Sequence, residues 1–145
     1  MADTKYSSSE KAIHELTRNK QMPIGITKFN HVNVTVPAAL EDAAKKFYGD
    51  LMGLEQIEKP DGPRKYIGAW YQLGESQLHL SIEDAPRNED SNRHVCYSVA
   101  DIPGALEAFR SAGVEVISEE QLVNGGSRFF VRDPAGNLIE ITKEA

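Results

Sequence analysis

The chain has 145 residues, 40% hydrophobic and 26% charged, the balance of a single globular domain with a core of its own. Sixteen Lys and Arg against 22 Asp and Glu leave a formal charge of −6, which argues against a nucleic-acid binder relying on clustered cations. One cysteine, Cys96, excludes an intrachain disulfide, and no apolar run is long enough to predict a membrane span.

Residues 1–24 read as an extension to a domain at 25–145. Its first ten residues lack an apolar signal core, so the expected compartment is the cytoplasm. Ser8–Thr17 fits a short helix with a serine cap, and His14 on it reads as a solvated surface residue. Pro23 and Gly25 break it.

From Phe29 the pattern has period two: Val32, Val34 and Val36 point one way and His31, Asn33 and Thr35 the other. Ala38–Met52 predicts a helix, with Leu40, Ala43, Ala44, Phe47, Tyr48 and Leu51 spaced three and four apart. A strand follows near Leu54–Glu58, then a turn at Lys59–Pro63, a strand near Tyr66–Leu73, a hairpin turn at Gly74–Ser76 and a strand at Gln77–Ile82. On this last strand Leu78, Leu80 and Ile82 share one face, and His79 takes the other.

After a polar linker at 83–92 the pattern repeats. His94-Val-Cys-Tyr-Ser-Val99 echoes His31-Val-Asn-Val-Thr-Val36, 63 positions later. A helix through Leu106, Phe109 and Arg110 is followed by strands at Val114–Ile117, near Arg128–Arg132 and at Leu138–Thr142. Glu140 falls 61 positions after His79. The fold class is therefore α+β, with β-α-β-β-β modules at 28–82 and 93–143.

Each module carries a chelating residue on its first strand and another on its last: His31 and His79, then His94 and Glu140. Alternation puts all four on the face opposite the valines and isoleucines. If the two sheets curve together, three imidazoles and a carboxylate converge in a cup. That donor set suits a catalytic divalent ion, and the lack of paired thiolates argues against structural zinc.

The segments His31–Val36, Trp70–Leu80, His94–Val99 and Phe130–Glu140 resemble the vicinal oxygen chelate superfamily. That group includes glyoxalase I, fosfomycin-resistance proteins, extradiol dioxygenases, methylmalonyl-CoA epimerase and bleomycin-resistance proteins. The most specific part is the Asp-Pro-x-Gly-Asn-x-x-Glu run ending at Glu140. The resemblance implies paired modules in a U-shaped, partly closed mixed sheet around a divalent metal (Zn, Ni, Co, Mn or Fe). It also implies a small-molecule substrate and, commonly, a homodimer, with modules paired within one chain or between two. His31, His94 and Glu140 fall at the family's ligand positions. His79 stands where bacterial-type glyoxalase I has a glutamate, and the expectation adds it to the metal set. Glu140 and His79 are the expected proton carriers.

The expected function is thus a metal-dependent, glyoxalase-type lyase, isomerase or transferase acting on adjacent substrate oxygens. The alternatives are a non-haem iron dioxygenase and a non-catalytic small-molecule-binding or resistance protein. Cys96 shares the His94 face, where it would line the cup, although burial is the default for a cysteine; Trp70 and Tyr71 are expected to be core residues or to flank substrate. Arg128 or Arg132 would bind a substrate anion or simply end a strand in solvent. Asp133–Asn137 reads as turn chemistry, and 59–65 and 83–92 as the rim of the cup.

Overall fold

A computed structural model of the protein describes residues 7–9, 24–60, 68–84, 87–122 and 126–143. His14, most of the expected Ser8–Thr17 helix and most of the 59–65 loop lie outside the described residues.

Two four-stranded mixed sheets carry the fold. The first contains β1 (His31–Val36), β2 (Glu55–Ile57), β3 (Ala69–Leu73) and β4 (Ser76–Ile82), in the order β1-β4-β3-β2. The second contains β5 (His94–Val99), β6 (Val116–Gln121), β7 (Ser127–Arg132) and β8 (Leu138–Lys143), in the order β5-β8-β7-β6. In each sheet the first and last strands run parallel and the other neighbours antiparallel. The repeat extends to register: Asn33 pairs with His79, and Cys96, 63 positions after Asn33, pairs with Glu140. This is the α+β, two-module architecture that the period-two runs and the repeat predict, and neither sheet closes into a barrel.

The helix expected over Ala38–Met52 is not one α-helix. A 3-10 turn at Ala38–Leu40 leads into α1 (Glu41–Lys45), and Lys46–Leu51 continues as a wider π-helical turn. Phe47 and Tyr48, at the start of this turn, are both buried. The second helix, α2 (Ile102–Ser111), is regular, with the Asp101 side chain accepting from the Gly104 amide at 3.1 Å as its N-cap. β6 begins later than Val114 because the Val114 amide closes the helix end on the Phe109 carbonyl.

The helical side of both sheets is one shared core. Leu78 and Leu80 from β4 and Ile139 and Ile141 from β8 are buried in it, and the Phe47 and Phe109 rings meet at 5.9 Å. The turn Asp133–Asn137 then clasps the halves together. Asp133 Oδ1 accepts from the Ala135 and Asn137 amides at 2.9 and 2.8 Å. Its Oδ2 accepts from the Tyr48 hydroxyl of the first half and from Asn137 Nδ2, both at 2.8 Å. Asn137 Nδ2 and Asn88 Nδ2 both donate to the Thr35 carbonyl on β1, at 3.0 and 2.8 Å. The turn is more than local geometry: it joins the second sheet to the first. With the core on the helical side, the faces carrying the histidines and Glu140 point away from it.

Candidate metal centre

On the open face of the first sheet three rings form a stack. Trp70 lies on His79 at 3.8 Å with an interplanar angle of 3°, and His31 lies on His79's ring at 4.1 Å and 16°. Trp70 and His79 are cross-strand partners on β3 and β4, which places their rings side by side on one face. Tyr71, the next residue, points to the opposite face and is fully buried. His79 is only 8% exposed. Its burial, and then His31 and Lys59, hold its pKa below the ordinary imidazole value. Its Nε2 donates to Gln77 Oε1 at 2.9 Å, leaving the lone pair on Nδ1. His31 is set the other way. Its Nδ1 donates to Asn30 Oδ1 at 2.8 Å, so its lone pair is on Nε2.

On the open face of the second sheet, His94 Nε2 lies 3.0 Å from Glu140 Oε2. His94 Nδ1 donates to the Asn92 backbone carbonyl at 3.1 Å. In neutral His94 this puts the lone pair on Nε2, facing a carboxylate oxygen that also has only lone pairs to offer. Two acceptors at that distance need a proton or a cation between them. An imidazole whose other nitrogen is tied to a backbone carbonyl is also the usual arrangement of a metal-bound histidine. The donor atoms therefore fit a divalent ion. Glu140 is 8% exposed, and its Oε1 accepts from Arg128 Nη1 at 3.2 Å. Arg128 is itself held by Glu120, whose Oε2 accepts from Nη2 at 2.6 Å and Nε at 2.8 Å.

The four predicted ligands thus come together as two pairs rather than as one foursome. Among the described residues of a single chain, no three His, Cys, Asp or Glu side chains gather as a metal-binding group. Cys96 is not buried: it is exposed, because it follows the His94 side of β5 and not the Tyr97 side. Partial desolvation, and then the Glu140 carboxylate, push its thiol up, so it stays protonated at neutral pH. Arg132 serves the clasp, donating to the Gly136 carbonyl at 2.7 Å. Residues of the 83–92 linker, Arg87 and Asn88 among them, border a cavity of about 540 Å³ between β1 and β5 that Asn33 and His94 also line, but His31, His79 and Glu140 do not line it, so it is not the predicted cup. Sequence reasoning missed Gln77 and Glu120. Gln77 sits two residues before His79 on the same strand face, and Glu120 is the cross-strand partner of Arg128, so each had a positional signal.

A model of the Glyoxalase/Bleomycin resistance protein/Dioxygenase superfamily matches residues 28–141. The chain belongs to that superfamily. A glyoxalase family protein from Bacillus anthracis is 31% identical, with a TM-score of 0.74 over 86% of this chain and 100% of that one. Lactoylglutathione lyase from Agrobacterium tumefaciens shares the fold at 22% identity and a TM-score of 0.64, covering 82% of this chain and 95% of its own. A glyoxalase/dioxygenase from Nostoc punctiforme does so at 18% identity and 0.71, covering 86% and 96%. No curated protein matches the chain. Within this superfamily the matched segment includes His31, His79, His94 and Glu140. In the described residues no helix is long and apolar enough to cross a membrane.

Proposed function

We propose that this superfamily member is a metal-dependent, glyoxalase-type lyase, isomerase or transferase acting on a small substrate that bears two adjacent oxygens. The observation that carries the reading is the facing pair His94 Nε2 and Glu140 Oε2, 3.0 Å apart with the imidazole's other nitrogen tied down, two atoms that a proton or a cation must bridge. His31, with its lone pair on Nε2, completes a His, His, Glu set. When bound, the ion supplies Lewis acidity toward the two substrate oxygens.

His79 has a different task. Its Nε2 is occupied by Gln77, and its ring is pinned between Trp70 and His31, so Nδ1 is the atom that takes or returns a substrate proton. Its lowered pKa keeps it neutral at pH 7, ready as a base. Trp70 fixes the imidazole plane and covers one side of it from water.

Because one chain brings the ligands together only in pairs, the reading includes a homodimer. In it the His31 and His79 pair of one protomer faces the His94 and Glu140 pair of its partner.

The test is the metal content of protein purified without chelators. His31→Ala, His94→Ala and Glu140→Ala each abolish tight binding, whereas His79→Ala weakens it less. Full metal occupancy after loss of His94 would overturn the assignment. Nickel, cobalt, zinc or manganese with hemithioacetal isomerisation or thiol addition fits the reading. Iron with oxygen-dependent loss of a catechol moves it to a dioxygenase, and an apolar ligand with no metal moves it to a binding protein.

A further inference from the structure

We infer that Arg128 is a positioning residue that reserves one oxygen of Glu140, so that the carboxylate offers a metal ion Oε2 alone. This rests on the metal-centre reading above.

The geometry has three parts. Arg128 Nη1 donates to Glu140 Oε1, while Oε2 is turned to His94 Nε2. Glu120 grips the far side of the same guanidinium through Nε and Nη2, so the fork cannot swing away without breaking two charge-assisted bonds. The guanidinium carbon lies 5.2 Å from the centroid of the Phe130 ring, which floors it on the same strand. Phe130 in turn packs edge-on against His94 at 5.8 Å. A carboxylate free on both oxygens can close on an ion with both. One tied at Oε1 spends a single coordination position. That difference leaves room for a substrate that itself binds through two oxygens, and open positions are what separate a catalytic centre from a closed one.

Arg128 also brings a positive charge to the ligand side of the site. On Coulomb grounds it weakens metal binding rather than strengthening it. A residue acting only as a structural tie has the opposite signature, since its loss costs stability and metal together. The two roles are separable by the sign of the effect.

The experiment uses full-length protein loaded with Co(II), whose visible absorption weakens as its coordination number rises, and oxalate as a two-oxygen probe. Arg128→Met retains Co(II) at least as tightly as wild type, shows a weaker visible band, and binds oxalate about 10-fold or more less tightly, the scale on which outer-shell partners act. Arg128→Lys, which can still donate to Oε1, restores the wild-type band. Glu120→Gln, which loosens the guanidinium but leaves it in place, gives an intermediate spectrum without loss of metal. A Met variant that is folded by circular dichroism and keeps both the wild-type spectrum and the wild-type oxalate affinity overturns the role of Arg128 alone. So does a Met variant that loses metal and stability together. Wild-type protein that takes up no Co(II) removes the metal centre itself, a separate and distinguishable failure.

Discussion

The hydroxyl of Tyr97 is buried and has no hydrogen-bond partner among the described residues, whereas that of Tyr48 donates to Asp133. Burial, and then the Asp133 charge, push Tyr97 far above the ordinary phenol range, so it stays neutral. Removing an unsatisfied hydroxyl relieves a desolvation cost that removing a satisfied one does not. Tyr97→Phe therefore leaves stability unchanged or raises it by up to about 1 kcal/mol, while Tyr48→Phe lowers it by about 1 kcal/mol. Asp133→Ala leaves four donors without their acceptor and costs about 3 kcal/mol or more. Urea denaturation of the three variants checks the order. The sequence marks Asp133 as a turn residue, because an Asp-Pro-x-Gly-Asn run is local chemistry. Its bond to Tyr48 spans 85 positions, and nothing in either residue's own neighbourhood announces it. His31, His79, His94 and Glu140 were legible because alternation and a repeat act over the whole chain. Which nitrogen each imidazole presents was not, since that depends on Asn30, Gln77 and the Asn92 carbonyl.

Between elements, the start of α1 is tied to the start of β3. Glu41 Oε1 accepts from the Gly68 amide at 3.0 Å and pairs with Lys45 at 2.6 Å. The bond to Lys45, with help from the Gly68 amide, holds Glu41 below the ordinary carboxylate value despite partial burial. A depressed carboxylate contributes stability above its unfolded pKa, and that contribution is lost as pH falls through its folded value. Glu41→Gln thus has its largest cost near neutral pH and a vanishing one in acid, readable from melting temperatures at pH 7 and pH 3. Gly68 itself sits at φ +80°, and a β-carbon there would lie 1.9 Å from the Leu80 carbonyl oxygen. Gly68→Ala must displace β3 from β4 and costs about 3 kcal/mol or more, with a matching fall in melting temperature. At this scale the strands were legible from period two and the regular helix from its apolar stripe. The π-helical turn was not, because Phe47 and Tyr48 fit a three-and-four spacing equally well in a regular helix.

At the scale of the whole molecule, the core lies on the helical side of the two sheets and the chelating faces look away from it. Repeat and resemblance led to two modules and one donor set, but left open whether modules of one chain or of two complete it. If sites are shared, mixing two inactive variants repairs some of them. In a heterodimer of His31→Ala with His94→Ala, one site carries both lesions and the other carries neither. Co-refolding the two in equal amounts then restores about a quarter of wild-type metal content, from statistical pairing of two-fold dimers. Sites contained within single chains restore none. Metal analysis of the mixture decides between the two, with each variant alone as the blank.

Trp70 is the only tryptophan in the chain, and its indole lies flat on His79. All of the protein's tryptophan emission therefore originates in contact with the imidazole assigned to proton transfer. The molecule carries a built-in optical gauge of that ring. A shift in emission on adding Zn(II), with the circular dichroism unchanged, would follow His79 as the centre fills, without label or substrate.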